Sequence, residues 1–339
     1  MTQTLPAPRF DVLCIGNAIV DVLGRVEDDF IVREGLVKGE MRLVDAGRSA
    51  EIYGHLGQVV RMSGGSAGNT AAGVGSLGGT VCYIGKVADD DLGRAYAHDL
   101  GHLGIRFATP PLSGGAPTAV CIVLITPDGE RTMNTYLGAC QSLTTADVEA
   151  DADAIAGAAI TYLEGYLWDP PEAKQAFRRA AEIAHASGRQ VAITLSDSFC
   201  VDRHRAEFLS LIRTGTVDIV FANEHELKAL YETGDIDAAV AALKEDCTIA
   251  AVTLGAGGSL ALTRDETFHV RAAPVNQVTD LTGAGDLYAS GFLYGLARGM
   301  PLADCAAIGG LCAAEVITQI GPRPMRSLAD LVRQAGYPA

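Results

Sequence analysis

Basic residues are in deficit: 26 Lys and Arg stand against 41 Asp and Glu, a formal charge of −15 over 339 residues. So acidic a chain exerts no broad pull on a nucleic acid backbone or an anionic membrane, and neither is expected as a partner. A nucleotide substrate would instead need local amides, a few basic side chains and a metal. Eight cysteines, at 14, 82, 121, 140, 200, 247, 305 and 312, include no CxxC pair and no zinc-like spacing. Their scatter is that of reduced, mostly buried thiols in a cytoplasm. No stretch approaches the roughly 20 uninterrupted apolar residues of a membrane span, and MTQTLPAPRF lacks the apolar core of a signal peptide, so a soluble, cytoplasmic protein is expected. Repeats, low-complexity tracts and obvious linkers are absent. A Walker A motif is absent too: Gly85-Lys86 is followed by Val87 and has no glycine five positions before it. The seven histidines form no HExxH.

What is present is rhythm. Short β-rich runs (FDVLCIG, TVCYIGKV, AAITYLEG, RQVAITLS, VDIVFAN) alternate with helical ones (SAGNTAAGVGSLG, DDLGRAYAHDLGHLG, PPEAKQAFRRAAEIAHASG, RHRAEFLSLIRTG). This is the signature of an α/β fold with mainly parallel strands and crossover helices, and 48% hydrophobic residues suffice for one large core. Residues 18–62 and 105–138 break the rhythm with strand-like pieces, and Pro127-Asp128-Gly129 suits a hairpin turn. Together the two stretches are expected to form a small β-sheet apart from the main layer. The main layer then takes 10–17, 63–104 and 139–335, with helices over 286–299, 301–319 and 326–335.

One stretch, DLTGAGDLYASGFLYGL (280–296), sets a glycine loop at the start of a small-residue helix. Consecutive amides at Gly283, Ala284 and Gly285 can converge on phosphate oxygens with help from the helix dipole. Asp286 at that helix start reads either as a cap or as a base taking the proton of an attacking hydroxyl while the loop holds the phosphoryl group. Asn223-Glu224-His225-Glu226 begins another helix. There Glu226 completes a capping box with Asn223, serves waters around Mg²⁺ with Asn223 near the phosphates, or does both. The turn VTLGAGGS (252–259), with Thr253, Gly255 and Gly258, is a hairpin or lets backbone approach phosphates. GNAIVD places Asn17 and Asp21 beyond a strand's carboxyl end, where Asp21 can accept from a vicinal diol or simply face solvent. GGSAGNTAAG (64–73) lets backbone come close to a ligand, with Asn69 aimed at the same pocket, or merely packs tightly. The same glycines fit GxSxG, with Ser66 as a hydrolase nucleophile, but no HGGG segment accompanies them. Gly73-Val74-Gly75-Ser76-Leu77-Gly78 fits GxGxxG but ends a predicted helix rather than opening one.

GGSAGN, NEHE and DLTGAGD, in this order and at these separations, resemble the PfkB or ribokinase family of carbohydrate and nucleoside kinases over about Asp11 to Leu331. GNAIVDV, GGSAGN, RTMNTYLGA and DIVFANEHE resemble its adenosine-phosphorylating branch more than its ribokinase or fructokinase branches. The resemblance implies a Rossmann-like sheet flanked by helices, a small β lid, and transfer from ATP to a nucleoside 5′-hydroxyl or, alternatively, to a sugar. It implies Asp286 as base, Gly283, Ala284 and Gly285 as anion hole, and Arg131 approaching the phosphoryl group. Asp21 would grip ribose, beside Asn17, Gly65, Ser66 and Asn69. Leu137 would touch the base, Tyr166 or Trp168 would stack on it or belong to the core, and Thr253 and Gly255 would lie where ATP is held. It further implies Mg²⁺ at Glu226 through water, room for K⁺ near Asp280 and Thr282, and a monomer or homodimer. Leu281 departs from the polar residue usual there.

Overall fold

Val12, Leu13, Cys14 and Ile15, which end the first strand β1 (Phe10–Ile15), are all fully buried. A strand apolar on both faces belongs in the middle of a helix-covered sheet. In the computed structural model, which describes residues 7–339, it lies there. Residues 1–6, most of the segment read for a signal peptide, are outside the described residues.

The chain continues through β2 (Ile19–Arg25), α1 (Asp28–Arg33), β3 (Met41–Leu43), α2 (Ala46–Gly54), β4 (Val59–Gly64), α3 (Ser66–Ser76), β5 (Val81–Ile84), α4 (Asp91–His102) and β6 (Arg106–Phe107). Then come β7 (Ala119–Ile125), β8 (Arg131–Tyr136), α5 (Thr145–Ala150), α6 (Ala152–Ala156), β9 (Ala158–Glu164), α7 (Pro171–Ala186), β10 (Gln190–Thr194) and α8 (Ser198–Arg213). The last part holds β11 (Ile219–Asn223), α9 (Glu224–Leu230), α10 (Ile236–Asp246), β12 (Ile249–Thr253), β13 (Ser259–Thr263), β14 (Thr267–Val270), α11 (Ala284–Ala297), α12 (Leu302–Val316) and α13 (Leu328–Gln334).

Nine strands form the larger sheet in the order β14-β13-β12-β11-β10-β9-β1-β5-β6, with β13 alone reversed, antiparallel to both β12 and β14. The expected α/β rhythm is realised. Side chains alternate across β1, so Leu13 and Ile15 pack with Phe177 of α7 and Phe208 of α8, while Val12 and Cys14 face Val74 of α3 and Phe292 of α11. A second sheet has the order β3-β8-β7-β2-β4. Its β7 and β8 are antiparallel across the Pro127-Asp128-Gly129 turn, where Gly129 takes a φ of 86°. One short strand departs from expectation: β6, within 105–138, pairs with β5 at the edge of the larger sheet.

The small residues of α11 have a packing reason. A Cβ on Gly291 would stand 2.7 Å from the backbone nitrogen of Gly309, so the α11 and α12 backbones nearly touch. On its other side, Ser290 fills the space over Gly73 of α3. Held between two helices, the start of α11 presents a rigid tip.

Candidate active site

That tip is the 280–286 loop. Gly283 caps α11 in the left-handed conformation, φ 79°, and a Cβ there would lie 2.7 Å from that of Pro322. Both facts demand glycine. Gly283→Ala should therefore lose stability by roughly 1–3 kcal/mol and distort the loop, read as a lower urea midpoint together with lost turnover. Among the described residues, no carbonyl accepts from the amides of Gly283, Gly285 or Asp286, whereas the Ala284 amide already donates to Leu281 O at 3.2 Å. The expected three-amide nest is thus narrower by one donor than the sequence suggests.

Asp286 sits in the first turn of α11. Its Oδ1 accepts from Ser66 Oγ at 2.6 Å and its Oδ2 from Asn69 Nδ2 at 2.9 Å, both donors projecting from the start of α3. Thr70 Oγ1 donates to Asp286 O at 3.2 Å. Burial raises the Asp286 pKa above the ordinary carboxylate value, opposed by the Ser66 and Asn69 hydrogen bonds and by the charge of Arg323. A carboxylate so placed is a better proton acceptor than one in water. Gly65, capping α3 with a φ of 82°, brings that helix tip up against Asn17 O, which a Cβ would approach to 2.2 Å.

Asn17 is buried, but its carboxamide does not hang free. Its Nδ2 donates to Glu164 Oε1 at 2.8 Å, and its Oδ1 accepts from Gln141 Nε2 at 3.3 Å. Glu164 Oε2 also accepts from the amides of Asn17 (3.3 Å) and Ala67 (2.9 Å). Glu164, a lone acid ending the apolar run AAITYLE, is not among the residues the sequence points to, because its role appears only with β9 beside β1. Burial raises its pKa to about 7 against these hydrogen bonds. It ties the end of β1 to the start of α3.

Asp21 lies on β2 opposite Met62 of β4 and Cys121 of β7. Its carboxylate packs over Gly64, where a Cβ would meet it at 2.3 Å. Burial raises its pKa to about 7, with Arg323 and Arg131 pulling it down and Asp286 pushing it up. Arg131, at the head of β8, reaches across to the 280–286 loop: Nη1 is 2.7 Å from Asp280 Oδ2 and donates to Thr282 Oγ1 at 3.0 Å. Its Nη2 is buried without a partner.

The two residues expected near K⁺ are engaged by protein donors. Asp280 also accepts from Thr282 N (3.0 Å), Thr282 Oγ1 (2.7 Å) and Gly321 N (2.9 Å). With those donors in place, Asp280 is paired with a guanidinium and hydrogen-bonded by its own loop.

The remaining expected residues line the carboxyl ends of neighbouring strands. Asn223 ends β11 directly opposite Thr253, which ends β12. Gly255 and Gly258 follow in the turn to β13, with φ of 58° and 93°. Asn223 and Glu226 form the capping box: Asn223 Oδ1 accepts from Glu226 N at 2.9 Å and Glu226 Oε2 accepts from Asn223 N at 3.0 Å. Glu226 is nearly buried, and its pKa rises to about 7 through that burial, opposed by the Asn223 amide. A carboxylate in this setting suits hydrogen bonds to metal-bound water better than direct ligation. Among the described residues, no three His, Cys, Asp or Glu side chains converge as a metal cluster. Leu137 is half-buried after β8. Trp168 is core, packed on Phe177 and Phe208 with Nε1 donating to Glu207 at 2.8 Å. Tyr166 is 37% exposed, its hydroxyl donating to Ser196 O at 3.3 Å, so it alone of the two aromatics has a face to offer.

The pfkB family carbohydrate kinase pattern matches residues 11–328. The chain belongs to this family. Among solved structures it is 56% identical to the adenosine kinase of Sinorhizobium meliloti, with a TM-score of 0.88 over 96% of this chain and 99% of that one. It is 52% identical to a probable sugar kinase of Rhizobium etli CFN 42, with a TM-score of 0.89 over 97% and 99%. Among curated relatives, the Saccharomyces cerevisiae adenosine kinase is 23% identical over 92% of this chain and 96% of its own length. Fructokinase-1 of Oryza sativa subsp. japonica is 29% identical over 69% and 73%.

As a pfkB member the chain is an ATP-dependent kinase of a small molecule whose acceptor is a hydroxyl group. The competing readings fall away. Ser66 does follow a strand and open a helix, but its hydroxyl donates to a carboxylate, and none of the histidine hydrogen bonds reaches it. The GxGxxG glycines close α3 as its sequence position implied. No described helix is long and apolar enough to cross a membrane.

Proposed function

We propose that this kinase phosphorylates the 5′-hydroxyl of adenosine, producing AMP and ADP. The observation that carries the reading is the neighbourhood of Asp21. Side chains on one face of a sheet follow cross-strand register, so Asp21 shares its face with Met62 and Cys121. Leu23 and Val60 lie one pair further on the same face, and Thr135 donates to Cys121 Sγ at 3.3 Å. A carboxylate whose cross-strand neighbours are thioether, thiol and aliphatic groups suits a ligand with one diol and one flat body, whereas a free hexose would strand hydroxyls against them.

In this reading Asp21 accepts from the ribose diol, and the smaller sheet acts as a lid that excludes water. Asp286 releases Ser66 and Asn69, takes the 5′-hydroxyl proton, and the oxygen bonds to the terminal phosphorus of ATP as the bond to the ADP oxygen breaks. The free amides of Gly283 and Gly285 receive the phosphoryl oxygens. Asn223, Thr253, Gly255 and Gly258 support the nucleotide, with Glu226 holding waters of Mg²⁺. When bound, that ion offsets charge on the triphosphate. The 52% identity to a probable sugar kinase keeps a sugar acceptor as the second reading.

Initial rates of ADP release from Mg-ATP with adenosine, inosine, ribose and fructose decide between them. Adenosine should give the highest kcat/KM by at least about tenfold, the reach of one well-placed contact. A preference for fructose or ribose would overturn the nucleoside assignment.

A further inference from the structure

Arg323 lies outside every motif singled out above, yet it touches both halves of the site. It belongs to the segment Gly321-Pro322-Arg323, whose first residue donates to Asp280 Oδ2 at 2.9 Å and whose proline packs on Gly283. Its own backbone carbonyl accepts from Gln319 Nε2 at 2.5 Å. The guanidinium turns toward the acceptor side. Nη1 donates to Gly68 O at 3.0 Å, Nε to Ser63 O at 3.2 Å, and Nη2 to Ser63 O and to Ser63 Oγ, the latter at 2.9 Å. These carbonyls bracket Gly64 and Gly65, where β4 of the smaller sheet passes into α3 of the larger body. Asp99 holds the same point from α4, accepting from Ser63 N at 2.8 Å, and Tyr96 donates to Gly64 O at 3.4 Å.

We infer that Arg323 is a positioning residue for phosphoryl transfer, splicing the phosphate loop at Asp280 and Gly283 to the β4–α3 junction that carries Ser66 and Asn69. Its planar fork fixes two carbonyls five residues apart, which a lysine ammonium cannot reproduce. Its charge is the cation shared by Asp21, Asp99 and Asp286. Asp286 faces Arg323, Asp21 of β2, Glu164 and Tyr162 of β9, and the neutral Ser66 and Asn69 of α3. Removing the guanidinium therefore takes away the cation that acts on the base, while Arg131 stays paired with Asp280.

The inference rests on the site transferring phosphate, but not on adenosine being the acceptor. It is tested with whichever acceptor the wild-type chain uses, so failure of adenosine leaves the test intact. Arg323→Met and Arg323→Lys are compared with the wild type for thermal unfolding, acceptor KM, kcat and the pH dependence of kcat/KM. Arg323→Met should move the acid limb upward by about one pH unit, as loss of a nearby opposite charge does, and raise acceptor KM about tenfold or more. Arg323→Lys, keeping charge but losing the fork, should leave the limb in place and still raise KM. A wild-type limb and KM in both variants would overturn the inference. Failure of both to fold would overturn it too, placing Arg323 with residues the fold itself requires. If only Arg323→Lys folds, its KM alone decides in the same sense.

Discussion

Asp286→Asn is expected to lower kcat about 10²–10⁴-fold, the usual reach of a positioned general base, with little change in acceptor KM. The amide keeps the volume of the carboxylate and can still accept from Ser66, so the helix tip should hold its shape. What disappears is a proton acceptor. The fold should not suffer, because burial makes the charged form of Asp286 unfavourable in the folded protein, as its raised pKa records. Thermal unfolding of the variant should come at the same or a higher temperature while steady-state turnover collapses. The wild type should lose kcat/KM as pH falls through the Asp286 pKa, since the base must be ionised, and this limb should vanish from the variant's residual rate. Near-normal turnover in Asp286→Asn would remove the base assignment.

Asp21→Ala should weaken acceptor binding about 10²-fold, because two hydrogen bonds from a diol to a charged group are each worth roughly 1.5–3 kcal/mol and part of that is lost in ordering the ligand. The loss should fall on KM and on the dissociation constant, with kcat less affected, since the contact exists before chemistry. Its pH dependence has a definite sign. With a pKa raised to about 7, Asp21 is ionised above that value and protonated below it. Affinity measured by calorimetry at pH 8 should therefore exceed that at pH 6, and the difference should disappear in Asp21→Ala. Unchanged affinity in the variant would place Asp21 outside the acceptor pocket.

The places of these two residues in the fold were legible in the sequence because their signals are local. A glycine loop entering a small-residue helix announces Asp286, and a strand end followed by GNAIVD announces Asp21. The α/β rhythm was legible for the same reason, each strand and helix carrying its own periodicity. What stayed hidden depends on long-range pairing. Glu164 gains its role only when β9 lies beside β1, 147 positions away along the chain from Asn17. Arg323 is 260 positions from Ser63, and nothing in GPRP marks it as a cation for three acids. The RTMNTYLGA stretch points to Arg131, but its pairing with Asp280, 149 positions on, appears only in the fold. Trp168 and Tyr166 stand two apart in one short segment; only tertiary packing separates a core indole from a partly exposed ring.

In the proposed reaction, a carboxylate and the free amides of Gly283 and Gly285 at one helix tip deliver phosphate to an alcohol. Phosphorus NMR of the wild-type protein with Mg-ATP and adenosine decides whether phosphate goes to that alcohol. The expected spectrum shows ATP converted into equal amounts of ADP and a phosphomonoester coupled to the two 5′-methylene protons of AMP. ADP accompanied only by inorganic phosphate, with or without any alcohol present, would contradict it.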